Sequence, residues 1–95
     1  MAWAYVQDIE GETTEQYDKI AAEVGNDAPD GLIVHVAGEH GNGIRIIDVW
    51  ESEDAFMKFR NGKLGAAIEK VMGPDAMAQG PPPFDALDVR NIVRG

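Results

Sequence analysis

The stretch GLIVHVAGEHGNGIRIIDVWES, residues 31–52, decides the architecture of this chain. It contains two apolar runs, 31–38 and 44–50, joined through EHGNG. Short runs rich in valine and isoleucine on either side of a glycine-bearing turn read as the two strands of a β-hairpin. Asn42-Gly43 tolerates the positive φ angles that tight hairpin turns require. The same placement argues against a nucleotide loop, because these glycines lie between two strands and not between a strand and a helix.

A sheet with one wet face alternates apolar and polar residues. These strands do not. Leu32, Val34 and Val36 fall on one side of the first, with Ile33 and Ala37 on the other. In the second, Ile44 and Ile46 are backed by Ile47 and Val49. Both faces of the hairpin are therefore expected to be dry.

Outward from the hairpin, residues 2–9, AWAYVQDI, alternate as a strand with Trp3, Tyr5, Gln7 and Ile9 on one side. Thr13 and Gln16 match a capping box, and Tyr17, Ile20, Ala21 and Val24 recur at helical spacing up to Gly25. Ser52 caps a second helix, ESEDAFMKF, whose acidic first turn suits the positive end of the helix dipole. Asn61-Gly62 is expected to interrupt that helix, which resumes through Leu64, Ala67, Ile68 and Val71 to Gly73-Pro74. The connection GPDAMAQGPPPFD is too rich in proline and glycine for regular structure, and its two candidate roles are a lid and a dimer strap. ALDVRNIV, 86–93, reads as the last strand.

The order β-α-β-β-α-β predicts an α+β fold: a ferredoxin-like sandwich with a four-stranded antiparallel sheet, spanning residues 1–95 as one domain. Both helices then cover one face of the sheet and leave the other open. An apolar open face is a liability in a monomer, so a homodimer packed through that face is expected.

Composition narrows the function. At 95 residues the chain buries only roughly 60–65% of its unfolded surface, which leaves a modest core of its own. Seventeen acidic against eight basic residues give a net charge of −9, which repels phosphate backbones and anionic lipid, so neither nucleic-acid nor membrane binding is expected. No cysteine is present, which removes disulfides, thiolate metal sites and cysteine nucleophiles. With two histidines as well, no metal centre is expected. The first residues, MAWAYVQDIE, carry neither a basic leader nor a long apolar stretch, and a soluble, cytoplasmic protein is expected.

The run DVWESEDAFMKFRNG, residues 48–62, together with the length and element order, resembles the dimeric α+β barrel superfamily, in particular its antibiotic-biosynthesis-monooxygenase-like members. The resemblance implies that superfamily's range of activities: cofactor-free oxygenases of aromatic polyketides, haem-degrading enzymes, and small isomerases. Its haem-degrading members carry an iron-ligating histidine, a tryptophan and an asparagine at positions that correspond here to Ile68, Phe59 and approximately Gln7. Isoleucine cannot coordinate a metal, which weighs against haem chemistry, and no cofactor is expected.

A pocket in such a fold lies between the sheet and its own helices. His35 and Asp48 are the candidate catalytic residues. If the hairpin register sets them opposite each other they share a face; a slip of one residue separates them, and EHGNG fits either. As a pair, Asp48 would hold one tautomer of His35 and raise its basicity, giving a general base for a phenol or an activated carbon. Tyr5 and Gln7 are the candidates for orienting a substrate oxygen, and Trp50, Phe56 and Phe59 for an apolar wall. Structural alternatives stand beside each: an interface histidine, a satisfied carboxylate, core aromatics. Two functions follow. One is a small-molecule enzyme of the cofactor-free monooxygenase-like type acting on an apolar, aromatic substrate. The other is a non-catalytic dimeric module that binds a small ligand.

Overall fold

The computed structural model describes residues 2–78, 80 and 82–95, with the side chains of residues 77 and 78 outside the description. Four strands, β1 (Trp3–Glu10), β2 (Leu32–His40), β3 (Gly43–Trp50) and β4 (Phe84–Asp88), form an antiparallel sheet in the order β2-β3-β1-β4. Helix α1 (Thr14–Val24) joins β1 to β2. Helix α2 (Glu53–Phe59), a π-helical turn at Arg60–Leu64, helix α3 (Gly65–Met72) and a short α4 (Asp75–Ala78) lead from β3 to β4. This is the ferredoxin-like α+β arrangement expected from the sequence, with β1 and β3 at the centre.

Local chemistry sets the element boundaries. The Thr13 side chain accepts from the Gln16 backbone and the Gln16 side chain accepts from the Thr13 backbone, which completes the capping box of α1. Ser52 Oγ accepts from Ala55 N to start α2, with Glu53 and Asp54 in its first turn. The hairpin between β2 and β3 turns on Gly41 and Asn42. His40 pairs with Gly43, and the positive φ, 60°, belongs to Gly41. Asn42-Gly43 is thus not the positive-φ pair that the sequence suggested. Gly43 is needed for another reason: its missing Cβ leaves room for the Ile9 carbonyl of β1.

Three further expectations are corrected. Asn61-Gly62 does not break the second helix. The extra residue is absorbed by the π turn, which keeps α2 and α3 continuous. The connection to the last strand is not wholly irregular, since Asp75–Ala78 forms a helical turn; the part of the lid-or-strap reading that falls on residues 79 and 81 lies outside the described residues. The last strand runs from Phe84 to Asp88 and not over 86–93. It starts directly after Pro83, where a missing N–H costs least. It ends where β1 begins, with Asp88 opposite Trp3 and one more bond from Val89 N to Ala2 O.

The sheet has two distinct faces. Trp3, Tyr5, Trp50 and Phe56 form the buried core on the helix side, with Leu32, Ile46, Ala55, Phe59 and Phe84 packed around them. A bulge between Leu32 and Val34 sets Leu32 opposite Trp50 and onto the helix side, so Leu32 does not share a face with Val34 and Val36 as strict alternation implied. The opposite face carries Ala4, Val6, Val34, Val36, Ile47, Val49 and Leu87. Val34, Val36, Ile47 and Leu87 are 41–53% exposed, so this part of the face is apolar and uncovered among the described residues, whereas Ala4 is buried. Its polar members include Asp8 and Arg45, which form a two-pronged ion pair at 2.7 and 2.9 Å. No helix among the described residues is long and apolar enough to cross a membrane.

Candidate functional site

The hairpin register places His35 opposite Asp48, and the next pairing places Asp48 opposite Tyr5. Three adjacent strands therefore bring three polar side chains into one row on the helix side of the sheet. Asp48 is buried, and its carboxylate accepts three hydrogen bonds. His35 Nδ1 is 2.5 Å from Oδ1; Tyr5 Oη and the Trp50 indole Nε1 reach Oδ2 at 2.8 and 3.1 Å. A buried carboxylate is tolerable only with such partners.

These contacts set the protonation of the neighbours. Asp48 raises the His35 pKa above its usual value, chiefly through the hydrogen bond and further by charge attraction; partial burial works against both. The Tyr5 phenol is pushed far up by burial and by the adjacent carboxylate, so it remains a donor. With Nδ1 engaged by Asp48, the reactive atom of neutral His35 is Nε2. That atom is not bare. The Tyr17 hydroxyl on α1 lies 2.6 Å from it, and the two rings are coplanar to within 5°. Tyr17, read from the sequence only as one member of an apolar helical stripe, thus joins the row. Its signal was present: a phenol whose hydroxyl falls on the inward stripe of an amphipathic helix needs a partner there.

Between this row and the helices lies a cavity of about 660 Å³, open to solvent. Ile20 and Val24 of α1, Leu64 at the end of the π turn and Ile68 of α3 give it apolar walls, alongside Ile46, Trp50, Phe56 and Phe59. Helix α1 contributes no buried residue. Its apolar stripe faces open space where a close-packed core would put side chains. Gln7 also lines the cavity, but its amide donates to the Pro82 carbonyl at 2.9 Å and takes no part in the Asp48 network. That bond ties the chain ahead of β4 to the sheet. Phe59 stacks at a tilt on Trp50 with ring centres 5.5 Å apart, and Phe56 sits in the core 4.8 Å from the Tyr5 ring. Of the seven residues singled out from sequence, His35, Asp48, Tyr5 and Trp50 are brought together by hydrogen bonds, while Gln7, Phe56 and Phe59 line the same space.

Glu12, just before α1, was missed as well. It lines the cavity, and its Oε2 is a buried oxygen without a hydrogen-bond partner among the described residues; desolvation raises its pKa. Ile68 does line the cavity but has no donor atom, and both ring nitrogens of His35 are already engaged.

By sequence, no family model and no curated protein matches the chain. Solved structures do match over nearly its full length. The Rv0793 protein of Mycobacterium tuberculosis is 13% identical with a TM-score of 0.69, covering 99% of this chain and 100% of its own. A candidate antibiotic biosynthesis monooxygenase from Chloroflexus aurantiacus is 13% identical with a TM-score of 0.66, covering 100% and 98%. The fold is that of the antibiotic-biosynthesis-monooxygenase-like proteins. SnoaB from Streptomyces nogalater, a cofactor-independent oxygenase, is 14% identical with a TM-score of 0.57, covering 99% and 98%. At these identities the likeness concerns the fold, as the resemblance of residues 48–62 implied.

Proposed function

We propose that the chain is a small-molecule enzyme of the cofactor-independent monooxygenase-like type, acting on an apolar, hydroxylated aromatic compound held between the sheet and α1. The observation that carries this reading is the cavity: apolar walls, a volume within the range of roughly 300–1,000 Å³ used for small ligands, and a carboxylate-backed imidazole on its floor. In this reading His35 is the general base. Asp48 fixes its tautomer and stabilises the imidazolium that forms, as in other carboxylate–imidazole pairs. Tyr5 and Trp50 hold Asp48 in place, Gln7 closes the cavity beside Pro82, and Phe56 and Phe59 flank the aromatic rings of the substrate.

Proton removal leaves an electron-rich carbanion at a carbon flanked by the aromatic system. Dioxygen takes electrons from it, a C–O bond forms, and the hydroperoxide that results loses water to leave a carbonyl. The balance is one CH₂ and one O₂ in, one C=O and one H₂O out.

Two copies pack through the open sheet face in this reading. The exposed Val34, Val36, Ile47 and Leu87 supply the apolar surface, and the internally paired Asp8 and Arg45 add no net charge to it. Residues 1–95 act as one domain, and the absence of cysteine fits a reducing, cytoplasmic setting. A test is oxygen uptake with anthrone in air, corrected for uncatalysed oxidation, beside binding of anthrone and naphthohydroquinone. Uptake by the wild type that is lost in His35→Ala and Asp48→Asn supports the reading; equal uptake in all three overturns it. One observation favours a non-catalytic ligand-binding module instead: Tyr17 covers the nitrogen on which a base would depend. Saturable quenching of tryptophan fluorescence by both compounds, with no oxygen uptake, would select that module.

A further inference from the structure

Resting on the enzymatic reading above, we infer that Tyr17 is the residue that meets the substrate, as the outer member of a Tyr17–His35–Asp48 proton relay. The hydrogen bonds run in one direction. Asp48 accepts from His35 Nδ1, which leaves Nε2 of the neutral ring as an acceptor, and the atom 2.6 Å away is the Tyr17 hydroxyl. Its proton therefore points at His35. Tyr17 lines the cavity, and with its proton committed to His35 its oxygen can only accept from a ligand there. Carboxylate, imidazole and hydroxyl in hydrogen-bonded series form the arrangement that activates a hydroxyl by an oriented base. Here the hydroxyl is a phenol, which passes a proton on more readily than an alkyl alcohol.

The step is a double proton shift. The substrate C–H or O–H bond breaks and its proton goes to Tyr17 Oη; the Tyr17 O–H bond breaks and that proton goes to His35 Nε2. Tyr17 ends as it began, His35 becomes imidazolium against Asp48, and the substrate carries the negative charge. Running the shift backwards returns the proton to the reduced oxygen. The groups facing this relay disfavour a standing phenolate. Burial raises the Tyr17 pKa, and the charges of Asp48 on β3, Glu12 ahead of α1 and Asp18 on α1 add to it. Tyr5, which approaches from β1, is held as a donor to Asp48. The proton therefore moves through Tyr17 and is not stored there.

The experiment compares wild type, Tyr17→Phe, His35→Ala and a protein with a ring-fluorinated tyrosine at position 17. The readouts are oxygen uptake with anthrone and the ¹⁵N resonance of His35 Nε2. The relay predicts a fall in kcat of about 100-fold or more in Tyr17→Phe with little change in KM, the usual size for a lost acid–base group. It also predicts an altered kcat and pH profile for the fluorinated protein, whose phenol is more acidic but almost the same shape. Undiminished activity in Tyr17→Phe alongside a dead His35→Ala overturns the relay and leaves the general-base reading standing. If no variant, wild type included, consumes oxygen, the enzymatic reading fails and the relay with it. The nitrogen resonance reads the contact directly: it moves to the position of an unbonded imidazole nitrogen in Tyr17→Phe, and no movement overturns the proposal.

Discussion

His35 and Asp48 stand directly opposite each other on neighbouring antiparallel strands, with Nδ1 and Oδ1 2.5 Å apart. The half-exposed imidazole and the buried carboxylate have unequal stakes in that bond. Asp48 also carries the Tyr5 hydroxyl and the Trp50 indole. Asp48→Asn offers an amide to a site where only acceptors fit, and each donor left unpaired costs about 1–3 kcal/mol. His35→Ala removes one of three donors and leaves the others in place. Urea denaturation should therefore show a loss of at least about 2 kcal/mol for Asp48→Asn and a clearly smaller loss for His35→Ala. The reverse order would mean that Tyr5 and Trp50 do not depend on Asp48.

The same bond makes folding stability depend on pH. His35 has a raised pKa in the folded protein, so the native state holds its proton more tightly than the unfolded chain does. The stabilisation is complete below the unfolded value near 6.5 and is lost as pH rises through the higher folded value. Glu12 acts in the same direction: burial raises its pKa, so ionising it on the way to neutral pH costs stability in the fold. Urea midpoints measured from pH 5 to pH 9 should fall with rising pH. His35→Gln should flatten the part of that fall above pH 6, and Glu12→Gln should flatten the fall from the acid end of the range upward.

On the other side of the sheet, Val36 and Ile47 are cross-strand partners, 52% and 41% exposed in the single chain. Neither has a role in the cavity. Ile47→Glu adds a charge at the centre of the apolar face and leaves the core untouched. Sedimentation at micromolar concentration should give the wild type twice the 10.3 kDa chain mass and Ile47→Glu the mass of one chain, with unchanged circular dichroism. A wild type that sediments as one chain removes the dimer.

How far the sequence reached can be traced residue by residue. The strand pattern was legible because valine and isoleucine on both faces of a short run suit a strand covered on both sides, and the helix starts were legible because Thr13, Gln16 and Ser52 cap by local chemistry. The π turn was not, since Asn61-Gly62 has the same composition as a helix end; only tertiary packing decides that the extra residue is absorbed. Nor was the bulge beside Ile33, which reversed the facing of Leu32. The His35–Asp48 pair was legible as a possibility that depended on register, and the register depended on whether the turn was centred on Gly41 or Gly43. Tyr17 was hidden by its spacing, which is that of an apolar stripe.

Two glycines with ordinary backbone angles should respond to alanine in opposite ways. At Gly62, in the π turn, an added Cβ meets nothing within 4 Å. Gly62→Ala there reduces the freedom of the unfolded chain and improves helix propensity, worth about 0.5–1 kcal/mol of added stability. At Gly43 the Cβ would overlap the Ile9 carbonyl oxygen and lie 2.9 Å from its carbon. Those atoms belong to the backbone of a central strand and cannot swing aside, so the β1–β3 pairing must open at its end. Gly43→Ala should cost at least about 1–3 kcal/mol, the scale of overpacking in a rigid setting. Because β3 carries Asp48 and β1 carries Tyr5, the strain should also appear as weaker binding of naphthohydroquinone, read by tryptophan quenching. A Gly43→Ala protein as stable as wild type would mean that the close approach of β1 to the hairpin is not a feature of the fold.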